Sequence, residues 1–231
     1  MRTLSICSLF IFFLTACDNN AEIGNAKDVN PESVYYDYKI WAEEGKEEAT
    51  VMLQYRFGGE DGTTLVLEDP AKVMFDGVEL KVDSAKLTGA FYEVVKPVKE
   101  LKGNHTIVFT DMHGKEHKED FSFEPFTLAA EFPEKVKKQP FTVKLNGFPA
   151  EPTNVRLVMT DTAFASKDVN EEMVIRRGEL RIDSNELSAL TKGPITFEIY
   201  IEEEKPLKNA SKEGGRLLIT YGLKRHFEFV D

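Results

Sequence analysis

A chain of 231 residues with 40 acidic against 29 basic side chains, a formal net charge of −11, lacks the basic surface that binding nucleic acid or anionic lipid calls for. Its 42% of hydrophobic residues suffices for one large or two ordinary folded units, and its two cysteines rule out a disulfide scaffold.

In chain order, Met1-Arg2 is followed by an apolar run through Leu4, Ile6, Leu9 and residues 10 to 14, the pattern of an export signal. As a helix, residues 3 to 16 would reach about 21 Å against roughly 30 Å of hydrocarbon, too short for a permanent span. The run ends in Leu14-Thr15-Ala16-Cys17, which resembles the lipobox of bacterial lipoproteins. The resemblance implies cleavage after Ala16 and a diacylglyceryl group on the Cys17 sulfur, whose two acyl chains give stable anchoring, with the new amino group often acylated too. Cys7 would leave with the signal, making Cys17 the sole thiol. The expected address is the bacterial envelope, at the outer membrane or cell surface; Asp18 resembles the aspartate that retains some lipoproteins at the inner membrane. Residues 18 to 33 are polar and aperiodic and read as a flexible tether.

From residue 34 onward the apolar period is two. Val34, Tyr36, Tyr38 and Ile40 share one face of a strand, and Ala49, Val51, Leu53, Tyr55 and Phe57 share one face of the next. Asp111-Met112-His113-Gly114 is a hairpin turn between residues 106 to 109 and 119 to 123, with Gly114 where a positive φ is needed. Further strands are marked by Phe141, Val143 and Leu145; Val155, Leu157 and Met159; Ile195, Phe197, Ile199 and Ile201; Leu217, Ile219 and Tyr221; and Phe227 and Phe229. Residues 202 to 215 read as a long polar loop, and 184 to 190 as the best helical candidate.

Three echoes keep their order along the chain. Residues 50 to 54 (TVMLQ) recur at 142 to 146 (TVKLN), 79 to 87 (ELKVDSAKL) at 179 to 187 (ELRIDSNEL), and Lys102-Gly103 before Thr106 recurs as Lys192-Gly193 before Thr196. The offsets of 92, 100 and 90 residues suggest a duplicated unit of roughly 100 residues. About seven short strands in that length resemble an immunoglobulin-like or fibronectin-like β-sandwich. The expected fold is therefore all-β: a signal at 1 to 16, lipidated Cys17 and tether at 17 to 33, and sandwiches at 34 to 125 and 126 to 231. A pair of lipocalin-like half-barrels is the rival fold.

Charge is uneven: residues 31 to 125 carry 11 basic and 20 acidic side chains, residues 126 to 231 carry 16 and 17. Glu60-Asp61 with Glu68-Asp69, and Asp161 with Asp168, Asn170, Glu171 and Glu172, offer oxygens without a calcium-loop spacing. His105, His113, His117 and His226 lack a zinc-ligand pattern and read as solvated or edge-strand residues. No nucleophile elbow or phosphate loop is present, so no catalytic residue, metal or other cofactor is expected. Asp83-Ser84-Ala85 and Asp161-Thr162-Ala163 resemble a bacterial O-glycosylation motif.

If Tyr36, Tyr38 and Ile40 point inward, Tyr35 and Trp41 point outward with Asp37 and Lys39. Exposed rings serve protein and glycan contacts, which makes Tyr35 and Trp41 the candidate binding residues; packing at a sheet edge or between units is the structural alternative. The expected function is a non-catalytic binding or spacer module held on a membrane, its partner a protein or glycan, with a structural subunit of an envelope complex as the second reading and a hydrolase as the third.

Overall fold

The strands predicted from alternation form because each has one apolar face to bury, and the computed structural model, which describes residues 22–85, 87–149 and 151–231, shows what they bury it against. The export signal, the lipobox, Cys17 and Asp18 lie outside the described residues. Residues 22 to 33, expected as tether, are ordered. β1 (Ile23–Asn25) pairs in parallel with a later strand, two short 3₁₀ turns follow, and Ala26 is buried.

In the first unit, β2 (Val34–Glu44) and β3 (Glu48–Phe57) form an antiparallel hairpin. β4 (Thr63–Val66) pairs with the end of β3 and with β1. The chain then makes β5 (Lys72–Phe75), β6 (Val78–Glu79), β7 (Val82–Ala85) and β8 (Gly89–Pro97), a single helical turn α1 (Val98–Leu101), and the hairpin of β9 (Gly103–Thr110) and β10 (Glu116–Phe123). Pairing gives the orders β2-β3-β8-β7 in one layer and β10-β9-β5-β6 in the other. Taken as strands A to G, these are the ABED and GFC layers of an immunoglobulin-like sandwich.

In the second unit, β11 (Thr127–Leu128), β13 (Phe141–Asn146) and β16 (Glu179–Ile182) form the small layer. The large layer contains β14 (Thr153–Asp161), β15 (Val169–Ile175), β17 (Gly193–Ser211) and β18 (Gly214–Val230) in the order β15-β14-β17-β18, with β12 (Lys135–Lys137) beside the end of β18. The helix expected near 184 is α2 (Ser184–Ser188), its start closed by a capping box in which Asp183 and Glu186 bond each other's backbone N–H. The all-β class with two tandem immunoglobulin-like sandwiches is thus the fold that forms.

The two sandwiches share one sheet. β17 and β18 pair continuously from Gly193 with Phe229 to Pro206 with Arg216. The outer edge of β18 changes partner along its length: it lies parallel to β2 from Gly215 to Leu223, then parallel to β12 from Glu228 to Val230. The polar segment 202 to 215 is therefore no loop but the distal half of this hairpin, turning only at residues 211 to 214. Pairing is interrupted between Pro206 and Ser211, and there β17 leans onto the opposite layer. The Asn209 side-chain amide donates to the Lys118 carbonyl at 2.7 Å, His117 Nδ1 lies 2.9 Å from the Asn209 carbonyl, and the Lys208 N–H donates to Glu119.

One apolar core runs through both units. In the first, Phe109 meets Tyr55 at 4.3 Å and Tyr36 at 5.0 Å between ring centroids, joining the layers. In the second, Phe141 faces Phe197, Phe227 and Phe229. At the joint Tyr221 stands edge-on to Phe123 and Phe126, and its hydroxyl donates to the Phe126 carbonyl at 3.0 Å.

Two of the sequence echoes fall on equivalent strands, β3 with β13 and β9 with β17; the third does not. Both of its copies follow a two-residue turn with positive φ at both positions, Asp76-Gly77 and Arg177-Gly178. After that turn the second unit pairs directly as β16 with β13, whereas the first inserts the β7–β8 hairpin before pairing with β3.

Because backbone pairing and core are continuous across the joint, the two units should unfold together. Leu223, fully buried where the units meet, gives the check: Leu223→Ala should cost about 2–5 kcal/mol and lower a single calorimetric transition. Two resolved transitions, one of them unmoved, would show independent units.

Candidate functional site

The sheet face turned away from the core is where the outward residues of β2 meet those of β18 and β17. The structure separates the two candidate rings. Tyr35 and Trp41 lie on the same face but six residues apart, about 20 Å along the strand, so they belong to different surroundings.

Tyr35 borders an ionic cluster that the sequence did not indicate. Asp37, expected to face solvent, is 2% exposed. β18 brings Arg216 directly beside it in the parallel register, and Arg216 Nε donates to Asp37 Oδ1 at 2.9 Å while Lys39 Nζ sits 2.9 Å from Oδ2. Arg216 also contacts Glu60 and lies 3.6 Å from Glu204. Arg56 Nε is 3.8 Å from Asp37 and is buried without a hydrogen-bond partner, while its other nitrogens donate to Gln54 at 2.7 Å and to the Gly62 carbonyl at 3.3 Å. Gln54 in turn donates to the carbonyls of Thr88 and Ala90. Burial raises the Tyr35 hydroxyl above its ordinary value, with Arg216 opposing. The cluster fixes strand register and leaves little opening for a ligand.

Trp41 lies in a groove. It stands opposite Thr50 of β3 and beside Thr220 of β18; one row further on, Glu43 is beside Gly222, which stands opposite Tyr200 of β17. These residues, with Lys46 and Glu48 from the β2–β3 turn, line a depression of about 290 Å³. The Tyr200 ring lies over Gly222: a Cβ there would come within 2.8 Å of the ring, so only glycine lets the ring settle on the sheet. The Tyr200 hydroxyl donates to Glu198 at 2.7 Å, and Glu198 pairs with Lys224 at 2.5 Å. Burial and the neighbouring Glu198 carboxylate push the Tyr200 hydroxyl well up, keeping it a neutral donor. Burial would raise Glu198, but the bonds from Lys224 and Tyr200 outweigh it and hold the carboxyl down. Trp41 is 39% exposed, and its floor is held by backbone pairing of four strands drawn from both units. Tyr200 was legible in principle, since residues 195, 197, 199 and 201 point inward and so 200 must point out.

The remaining sequence candidates have structural partners. His105 and His117, expected in solvent or at edges, are buried: His105 lies between Asp76 and the Leu101 carbonyl, and His117 between Asp111 and the Asn209 carbonyl. Their chain neighbours are polar, and nothing local in the sequence announces the opposing layer that covers them. His113 and His226 are exposed. Among the oxygens weighed for calcium, Glu68 binds Asn25 and Lys27, Glu60 binds Arg216, and Asp161 accepts from the Ala163 and Ala165 N–H groups and from Ser166 and Thr191. Those bonds lower the Asp161 carboxyl, that of Ser166 most. Ser84 is exposed on the edge strand β7, and Thr162 donates to the Pro194 carbonyl. Above Asp161 the loop presents Phe164, 89% exposed and at φ 56°. A second depression, about 660 Å³, lies at the joint between Val95, Pro97, Val98, Pro125 and Tyr221.

No family model matches the chain, and no curated protein matches it. Among solved structures it is similar to DIP-gamma IG1+IG2, at 12% identity with a TM-score of 0.24, covering 82% of this chain and 94% of that one. It is also similar to murine CEACAM1b, at 10% identity with a TM-score of 0.18, covering 84% and 98%. Likenesses this slight carry no argument, and the fold assignment rests on the strand order alone.

Two stability measurements follow from the geometry. Arg216→Ala removes the guanidinium from the buried Asp37 and leaves it Lys39 alone within 3 Å; it should cost about 3–5 kcal/mol in urea unfolding, whereas adding Asp37→Ala should recover part of that loss. Equal and additive losses would show that the pair is not coupled. Phe164 has almost nothing packed on its ring and sits in a conformation that costs a non-glycine residue roughly 1–2 kcal/mol, so Phe164→Gly should leave the midpoint unchanged or raise it.

Proposed function

We propose that the chain is a lipid-anchored envelope protein that acts as a rigid, non-catalytic binding module, displaying the outer face of its shared sheet to a partner. The observation that carries this reading is the β17–β18 hairpin, which belongs to both sandwiches and leaves no hinge between them. β18 alone, with 17 residues, extends over about 55 Å. Domain pairs joined by a linker swing relative to each other; two sandwiches sharing a sheet keep one surface in one geometry, which lowers the entropy lost on binding.

The anchor reading rests on the lipobox resemblance and gains a geometric consequence. β1, Val34 and the hairpin turn at 211 to 214 lie at one pole, where Ser211 donates to the Val34 carbonyl and the Glu213 N–H to the Glu32 carbonyl. Asp161, Phe164 and the chain end at Asp231 lie at the other, beyond Gly193 and Phe229. β1 starts at Ile23, six residues after Cys17 in the sequence, a reach of at most about 20 Å. The first pole would stand close to the lipid and the Phe164 pole far from it. Ile23 and Phe57, exposed at the first pole, suit that orientation.

Mass spectrometry of the mature amino terminus should find Cys17 first and carrying acyl chains, and Cys17→Ser should move the protein from the membrane to the soluble fraction. An unmodified Cys17 in the wild-type protein, or membrane retention of the variant, would remove the anchor reading. Affinity capture from detergent-solubilised membranes with the anchored chain should retain a partner through the outer face, and a Trp41→Ala, Tyr200→Ala chain should retain less of it.

A further inference from the structure

We infer that the Trp41–Tyr200 groove is a recognition site for a cationic side chain, an arginine or lysine on a basic segment of a partner protein. This rests on the reading of the chain as a binding module and names the chemistry of the site; it does not depend on the lipid anchor.

The first ground is the ring itself. Trp41 is the chain's single tryptophan, and it lies partly open in a groove while eight other rings, Tyr36, Tyr38, Tyr55, Phe75, Phe123, Phe126, Phe197 and Phe229, are fully buried. The fold has an apolar interior able to take large rings, so exposure of this one is not forced by lack of room. Indole is the strongest of the aromatic faces for a cation, and the adjoining Tyr200 ring adds a second.

Charge selects the occupant. Glu43 and Glu48 line the groove, and Glu202 lies beside Thr220 in the row that contains Trp41. Among the described residues none of these three carboxylates is in a salt bridge; the opposing charge in the groove is Lys46 alone. The other acids on this face are already matched, Glu198 by Lys224 and Asp37 by Arg216 and Lys39. Two aromatic faces beneath a net negative rim fit an organic cation and repel a carboxylate, phosphate or acidic glycan. The residues from 31 to 125, net −9, extend that field over the approach to the groove.

Geometry favours a side chain presented by a peptide. Tyr200 forms a low ridge, and on its far side a further depression of about 240 Å³ is bordered by Asn154, Arg156, Glu172 and Glu202. The two depressions sit on adjacent strands roughly 5 to 10 Å apart, so an extended segment crossing the ridge would place one side chain in the Trp41 groove and a neighbour over the next.

The fluorescence of Trp41 reads this groove without interference, because no other tryptophan emits. Titrating the full chain in neutral detergent micelles with a tetra-arginine peptide should change Trp41 emission saturably, and raising salt to about 0.5 M should weaken the apparent affinity several-fold as charges are screened. A Glu43→Gln, Glu48→Gln chain, altered only at surface carboxylates, should bind about five- to tenfold more weakly with an unchanged circular dichroism spectrum. Cellotetraose, a neutral sugar, should leave the emission unchanged, and spermidine should act more weakly than the peptide. No emission change with the peptide, an affinity indifferent to both salt and the double substitution, a response to cellotetraose in its place, or tighter binding of spermidine than of the peptide would each overturn the assignment. Retention of the membrane partner by a chain that fails this titration would leave the binding-module reading standing and remove only the cation site.

Discussion

The parallel pairing of β2 with β18 is the contact on which the rest of the architecture depends. It joins residues about 180 positions apart and converts two sandwiches into one body. Parallel strands gain no help from a short turn, so their register has to be set by side chains. On the inner face Tyr38 lies beside Leu217 and Ile40 beside Ile219, all buried; on the outer face Asp37 lies beside Arg216. A slip by one residue would turn the apolar set outward and separate Asp37 from Arg216, so core and ion pair penalise the same error. Hydrophobic burial supplies the driving force, while the charged pair acts chiefly on choice of register, since a buried pair recovers little beyond its own desolvation.

The joint follows from that pairing. Once β18 is fixed along β2, β17 must follow it antiparallel into the first unit, and its distal half has no strand on its other edge because β14 pairs only as far as Tyr200. An edge of this kind invites association with other chains. Here the interruption after Pro206 bends the strand toward β10, where the Lys208 N–H meets Glu119, the Asn209 carbonyl meets His117, and the Asn209 side-chain amide donates to the Lys118 carbonyl. The buried imidazole of His117 therefore ties the two layers, and Asp111 on its other side orients it.

How much of this could be seen in the sequence depended on whether a residue's surroundings are local. The alternation of Val34, Tyr36, Tyr38 and Ile40, and of residues 195 to 201, survives because each strand has a core on one face only. The capping signal at Asp183 and Glu186 and the turn at Gly114 are equally local. The segment 202 to 215 reads as a loop because, over residues 202 to 206, β17 has no layer packed on either face, and a strand without a buried face shows no apolar period. Asp37 faces outward as alternation indicates yet is buried, because alternation cannot know that Arg216 will arrive from the far end of the chain. The same applies to His105 and His117, whose burial is decided by the opposing layer. At the binding face Trp41 could be found by alternation, whereas its nearest aromatic companion, Tyr200, needed the β2-β18-β17 order before the two could be placed together.

That placement explains why a groove can form on a sheet at all. The outer face of a flat, regularly filled sheet offers ridges of side chains with no depression deep enough to hold a group. Gly222 removes one side chain from the middle of the row, Tyr200 folds down over the gap, and Trp41 stands at its border on the neighbouring strand β2. The depression is thus defined by a missing Cβ on the shared strand β18 and by rings from both partners of that strand. Loops need ordering before they can bind, but this floor is held by backbone hydrogen bonds that also hold the two units together. Loss of the β2–β18 register would move Trp41 relative to Gly222 and Tyr200, so the interaction that unites the sandwiches also assembles the groove.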